Sequence, residues 1–237
     1  MKTIIERLEE KDWDKTADDL HTRGYALLPK VLSPAECTGL IDAYEAPAVY
    51  RKTIQMERYR FGEGAYKYFR YPLPPLIQDI RGAVYPRLAS VANRWMEALS
   101  EERRFPSVHA ALLDACRAHG QEQPTVLILQ YGAGGFNTLH QDLYGEVYFP
   151  LQLVLFLNEP GEDYTGGEFV LTEQVPRAQS KASVLQPRRG DMLLFTTNFR
   201  PVRGSRGYYR VHMKHGVSPV HQGQRHTLGI IFHDAVS

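Results

Sequence analysis

The chain has 237 residues, 43% hydrophobic and 23% charged, with 28 basic against 27 acidic side chains and a formal charge of +1. That length fits one domain, or one core with a helical extension. The near-neutral charge removes the bulk argument for nucleic-acid binding, so only local basic clusters could carry it. No apolar run approaches the roughly 18 residues that cross a bilayer. The opening stretch MKTIIERLEEKDWDK has no apolar core for a secretory signal. Cys37 and Cys116 lie far apart, in no metal-ligand spacing. The setting expected is a reducing cytoplasm without membrane contact.

In chain order, residues 12–21 read as a short helix stopped by Gly24, and 25–28 as a strand closed by Pro29. Ser33-Pro34-Ala35-Glu36 is a helix start: Ser33 can cap, Pro34 suits the first turn, and Glu36 sits where a capping box needs it. From 75 to 99 apolar residues recur at helical spacing (Leu76, Ile80, Val84, Leu88, Val91, Trp95, Leu99). Pro86 should kink or split that helix. A further helix is expected over 107–119, with Gly120 placed to end it.

From Thr125 onward the texture changes to short β-rich runs, 126–131, 147–157, 168–171, 183–185, 192–196, 211–217 and 225–232, between Gly, Pro and Asn punctuation. Many short strands without intervening helices point to an antiparallel sandwich or barrel. The expectation is one domain over 1–237, a mostly helical part (1–122) covering a β core (123–237).

The stretch YGAGGFNTLHQD (131–142) ends in a His-x-Asp pair. Residues two apart at a strand end project to one face, so His140 and Asp142 can reach one ion together. A second histidine would complete a two-histidine, one-carboxylate face that leaves three positions of an octahedral ferrous ion open. Parity selects it: in VHMKHGV (211–217), His215 shares a face with Val211, Met213 and Val217, whereas His212 points to solvent. Taken alone, His215 reads more readily as a satisfied core histidine than as a ligand. In the next run Arg225, Thr227 and Gly229 share a face; a buried arginine is rare unless an anion satisfies it, and a guanidinium grips a carboxylate with two prongs.

These residues together resemble the prolyl-4-hydroxylase-like branch of the Fe(II)/2-oxoglutarate oxygenase superfamily. The likeness rests on Tyr131 and Gly134 ahead of His140-x-Asp142, on Gly166-Gly167-Glu168, on Arg189-Gly190-Asp191, and on HGVSPVHQGQRHT (215–227). It implies an α+β fold, a double-stranded β-helix (jelly-roll, cupin-like) with N-terminal helices packed on the major sheet. It also implies Fe(II) on His140, Asp142 and His215 as the catalytic centre, 2-oxoglutarate on Arg225 and Thr227, and O2 as oxidant, with succinate and CO2 released. The segments GYALLP (24–29), LSPAEC (32–37), YFRYPLP (68–74) and HQDLYGE (140–146) are similar to a bacterial family predicted to act on nucleic-acid bases. One departure stands out: relatives often carry a co-substrate tyrosine where this chain has Phe156, and Gln152 or Tyr131 is expected to supply the missing hydrogen bond.

Two segments interleave bases with aromatics, 58–71 (Arg58, Arg60, Tyr68, Arg70) and 200–210 (Arg203, Arg206, Tyr208). Such side chains can stack unpaired bases and hold phosphates, or bind an anionic small molecule, or simply be solvated loop. Both are expected near one mouth of the barrel. The substrate therefore stands open between a nucleobase and an amino acid, peptide or small metabolite. A non-catalytic cupin-type binding protein is the reading from another class, which the joint presence of three ligands and the arginine disfavours. Oligomeric state is not legible.

Overall fold

The computed structural model describes residues 2–175 and 177–237. The first half holds α1 (Ile4–Glu9), α2 (Trp13–Arg23), β1 (Tyr25–Leu28), α3 (Pro34–Asp42), β2 (Tyr50–Gln55), β3 (Gly62–Glu63), β4 (Ala65–Phe69), α4 (Pro75–Ala98) and α5 (His109–Ala118). The second holds β5 (Leu127–Tyr131), β6 (Phe136–His140), β7 (Leu151–Phe156), β8 (Tyr164–Gly166), β9 (Phe169–Gln174) and β10 (Lys181–Leu185). It ends with β11 (Met192–Thr196), β12 (Phe199–Gly204), β13 (Gly207–Val217), β14 (Val220–Gly223) and β15 (Arg225–Ile231).

Two antiparallel sheets face each other, a larger one ordered β1-β11-β7-β15-β5-β4-β2 and a smaller one ordered β10-β9-β13-β6-β3, with β12 on β13 and a β8–β14 ribbon beside them. Strands close in sequence thus fall in opposite sheets, the winding of a double-stranded β-helix. Period-2 alternation in β7 sets the two cores. Leu151, Leu153, Leu155 and Leu157 turn outward into the layer built with Ile77, Ile80, Val84, Leu88 and Trp95 of α4. Val154 and Phe156 turn inward against Phe169, Leu171, Phe195 and Met213. Each buried aliphatic or aromatic side chain contributes about 1.5–3 kcal/mol, so the helical layer stabilises one face of the large sheet and leaves the other free for a site.

Helix boundaries follow the expected chemistry. Ser33 accepts from the Glu36 amide while the Glu36 carboxylate accepts from Ser33, the reciprocal capping box. Gly24 closes α2 with a left-handed φ of 78°; a Cβ there would also meet Met213 Sδ at 2.5 Å.

Two expectations need correction. Pro86 does not split α4, which runs unbroken from Pro75 to Ala98. The buried face continues on both sides of it, from Ile77 through Met96, and packing against the sheet outweighs the one lost backbone donor. The span between 50 and 69 is also β, where no strand was expected. There β2 and β4 extend the large sheet through β5, and β3 crosses to pair with β6 in the small sheet. This segment bridges both sheets at one edge. Gly62 permits the crossing, since a Cβ on it would stand 2.2 Å from the Phe136 carbonyl oxygen.

Candidate active site

At the open end of the sandwich, β6 and β13 place His140 and His215 directly opposite each other, with ring centroids 4.2 Å apart. On β13, Val211, Met213, His215 and Val217 are buried whereas His212 and Lys214 are exposed, as alternation requires. The chain then turns. Gln141 points away, donating through Nε2 to the carbonyls of Asn198 (2.9 Å) and Met213 (2.8 Å). That clamp swings Asp142 into the cluster: its Oδ2 stands 3.2 Å from His215 Nε2 and its Oδ1 3.6 Å from His140 Nε2.

Ligand atoms of the three residues lie within 4.8 Å of one another. Ligands in adjacent octahedral positions of a first-row ion stand about 3 Å apart, so the set fits one ion. The donor chemistry agrees. His140 Nδ1 lies 2.8 Å from the Thr138 carbonyl, a contact that puts the proton on Nδ1 and leaves the Nε2 lone pair facing Asp142. Burial, then the neighbouring His140, lowers the His215 pKa and favours its neutral, ligating form, with Asp142 opposing. For Asp142 burial works upward, but His140, His215 and a hydrogen bond from Tyr144 hold its carboxyl well below the usual range.

Tyr144 was not anticipated. Its hydroxyl donates to Asp142 Oδ1 at 2.9 Å and lies 3.2 Å from the Tyr68 hydroxyl, so the carboxylate is oriented from behind. The only sequence signal was its position two residues after Asp142 in HQDLYGE.

The second feature lies across the sandwich, on β15 of the large sheet. Arg225 is 1% exposed, and none of its Nε, Nη1 or Nη2 atoms has a hydrogen-bond partner among the described residues. The rings of Tyr131 and Phe156 lie 5.5 Å from the guanidinium carbon, and that of Tyr164 5.9 Å. A fixed cation without an acceptor, walled by aromatic faces, fits a carboxylate ligand. Tyr131 is fully buried; burial pushes its pKa up to about 12. Its oxygen accepts from Asn137 Nδ2 at 3.2 Å, leaving its own proton free to donate.

Both features open on one cavity of about 230 Å³, lined also by Thr227, Gln152, Tyr66, Phe61, Phe169 and Phe195. The cluster, Arg225, Thr227 and Tyr131 are thus brought together. Gln152 is in the cavity but not beside Arg225. It faces Ile231, six residues along β15, which is about 20 Å of strand from Arg225.

The two arginine–aromatic segments part company. Arg58 and Arg60 are exposed on the loop before β3, next to Phe61, which lines the cavity with Tyr66. Tyr68 lies behind the wall on Tyr144, and Arg70 Nε donates to the Tyr50 carbonyl at 3.1 Å. Arg203, Arg206 and Tyr208 sit on the far hairpin of β12 and β13, Tyr208 lying seven residues, about 23 Å of strand, from His215. Tyr208 packs edge-on to His21 of α2 at 5.9 Å, and Arg210 pairs with Glu101. The single shared mouth expected from composition does not form, because β13 carries that hairpin back over the helices.

Comparison with known structures matches the fold. A Pseudomonas putida prolyl-4-hydroxylase superposes with a TM-score of 0.56 at 16% identity, over 92% of this chain and 96% of that one. A Trichoplax adhaerens prolyl hydroxylase, solved with a hypoxia inducible factor peptide fragment, gives 0.56 at 16% identity over 99% and 94%. A 2OG-Fe(II) oxygenase family oxidoreductase of Burkholderia pseudomallei gives 0.51 at 15% over 95% and 93%. His140, Asp142 and His215 could hold a metal ion. No helix among the described residues is long and apolar enough to cross a membrane. Uncharacterised proteins from two strains of Mycobacterium tuberculosis are 46% identical over 167 residues, 70% of this chain and 72% of theirs. A family model described as "Oxygenase, catalysing oxidative methylation of damaged DNA" matches residues 64–235, and the chain belongs to that family, Oxygenase-NA.

Proposed function

We propose that this oxygenase acts on a base in nucleic acid, with Fe(II) on His140, Asp142 and His215 and the distal carboxylate of 2-oxoglutarate on Arg225. The observation that carries the site is the shared cavity in which a His–Asp–His cluster and a buried arginine without a hydrogen-bond partner among the described residues face the same space. Bound iron, 2-oxoglutarate and dioxygen supply the chemistry that turns a substrate C–H into C–OH while the co-substrate becomes succinate and CO2. On an N-methyl group the product is an N-hydroxymethyl that loses formaldehyde, so the balanced outcome is removal of the methyl.

The protein's part is positional. Thr138 holds the His140 tautomer, and Tyr144 and Gln141 hold Asp142. Arg225 and the free Tyr131 proton fix the co-substrate's far end. Phe156 takes the place of the relatives' tyrosine and offers a ring face to the guanidinium instead of a hydroxyl. Phe169 and Phe195, 5.0 Å apart, pack on His215 and keep its side of the cluster dry.

Two observations support a macromolecular substrate. The family description names DNA. The cavity, at about 230 Å³, falls below the 300–1,000 Å³ typical of sites that engulf a whole drug-sized ligand, which favours entry of the reacting end of a larger molecule, as a flipped base does. A peptide substrate is the second reading. It is favoured by the mouth loop, where Glu57 and Glu63 offset Arg58 and Arg60, and the Trichoplax adhaerens neighbour is in complex with a peptide fragment.

The test is succinate and formaldehyde release from iron-loaded protein given an N-methylated single strand, its unmethylated counterpart, the free methylated nucleoside, or a proline-containing peptide. Coupled release with the methylated strand alone is expected, with affinity falling steeply as salt rises. Coupled turnover of the peptide and none of the strand would reject the nucleic-acid reading.

A further inference from the structure

We infer that Gln152 is the residue that reads the primary substrate, through a hydrogen bond to an acceptor on the edge of a planar group. The claim about location rests on the geometry alone; the identity of the planar group as a base rests on the function proposed above.

The cavity floor along β15 is Arg225, Thr227, Gly229 and Ile231, one residue per same-face step. Arg225 stands at one end and Ile231 at the other. Gln152 lies opposite Ile231 on one side and Phe195 on the other, so it belongs to the end remote from the arginine. Two side chains separated by about 20 Å of strand cannot share one carboxylate.

Its surroundings are apolar. Val154, Phe195 and Ile231 are all buried around it, and Gln152 itself is 2% exposed with no hydrogen-bond partner on Nε2 among the described residues. The other amides lining the cavity are already committed. Gln141 serves two carbonyls, and Asn137 serves the Tyr131 hydroxyl. Tyr144 at this end is likewise occupied, between Asp142 and Tyr68, so it acts as wall. A buried amide among apolar walls costs stability unless something completes it. Gln152 is therefore the uncommitted polar group at the substrate end, and a primary amide is suited to the paired donor and acceptor atoms of a base edge.

The test uses iron-loaded wild-type, Gln152→Leu and Gln152→Glu proteins. Leucine keeps the volume and removes the amide. It should leave 2-oxoglutarate affinity, read anaerobically from the visible band of the iron complex, within twofold. It should leave the thermal unfolding midpoint unchanged or raise it by about 2–4 °C. It should lower kcat/KM for the methylated strand at least tenfold. Glutamate, which can only accept when ionised, should shift preference toward substrates whose edge donates. A tenfold loss of 2-oxoglutarate affinity in Gln152→Leu would assign the amide to the co-substrate, and a clearly lowered midpoint would make it a structural residue; either overturns the inference. If wild type turns over no strand, the base is lost as substrate, while affinity and midpoint still decide where Gln152 acts.

Discussion

Arg225 and Gln152 are two buried polar side chains in one cavity, and the cost of burying a polar group without a partner makes them informative about ligands. A guanidinium with no acceptor among the described residues has its hydrogen-bonding capacity reserved for something that arrives. Replacing Arg225 with alanine should therefore weaken 2-oxoglutarate by about 1.5–3 kcal/mol or more, the range for a hydrogen bond to a charged group. Arg225→Lys should recover only part, because an ammonium lacks the two-pronged geometry. Titration of the visible iron–co-substrate band reads both, and an unchanged midpoint in Arg225→Ala would remove the arginine from the site. Much at this scale was legible in the sequence. Alternation alone separated His215 from His212 and put Arg225 with Thr227, because side-chain direction in a strand has a fixed period. What alternation cannot give is which residue of the neighbouring strand lies opposite. Its face alone could not show that Gln152 lies opposite Ile231, six residues from Arg225, since register is a property of the pair. Tyr144 escaped for another reason: it follows the strand, where no period applies.

Among elements, the edge segment of β2, β3 and β4 was the least legible. Its charged and aromatic residues, YRKTIQ (50–55) and AYKYF (65–69), resemble a ligand-binding loop because edge strands carry charge on their solvent side. Only pairing with β5 and β6 reveals the strand. The long helix was legible in its apolar period, but not in the buried charge on that face. Arg81 is fully buried, and its Nη2 donates to Asp234 Oδ1 at 2.8 Å and to the carbonyls of Ile231 and Phe232 at 3.1 Å. Nη1 donates to the Tyr71 hydroxyl, which itself lies 2.9 Å from Asp234 Oδ2. This network ties α4 to the end of β15 and the chain just after it, from the cavity floor at Ile231 to Asp234 three residues on. Removing one partner leaves an uncompensated buried charge, which costs about 3–5 kcal/mol. Asp234→Ala should lower the unfolding free energy by that amount in urea, and Asp234→Asn by less, since an amide still accepts from the guanidinium. A loss below about 1 kcal/mol would mean the pair is relieved by relaxation of the chain end.

At the scale of the whole molecule, the helical layer and the large sheet are closed by histidines that must stay neutral. His109 on α5 contacts the Phe232 carbonyl at 2.8 Å, His233 Nδ1 accepts from the Phe149 amide at 3.1 Å, and His226 sits on Asn158 and edge-on to Tyr44. Burial drives the pKa of His109 down to about 3, helped by Arg81 and opposed by its carbonyl contact. It drives His226 to about 4, with Glu45 opposing and Arg225 assisting, and His233 to about 4, with Asp142 opposing and Arg81 assisting. In the unfolded chain each titrates near 6.5. Between that value and the folded pKa the unfolded state binds more protons, so unfolding becomes more favourable as pH falls. The stabilisation is fully present above about pH 6.5 and is lost progressively down to pH 4 and then 3. Each histidine contributes on the order of 1–2 kcal/mol to the loss between pH 7 and pH 5. Urea unfolding of metal-free protein, with a chelator present so that proton release by metal binding does not enter, should show stability falling across that interval with a slope approaching three protons. His109→Gln should make the slope shallower by about one proton without changing the wild-type trend elsewhere. A flat profile from pH 7 to 5 would mean that the seam between helices and sheet opens to water enough for these rings to be protonated in the folded state.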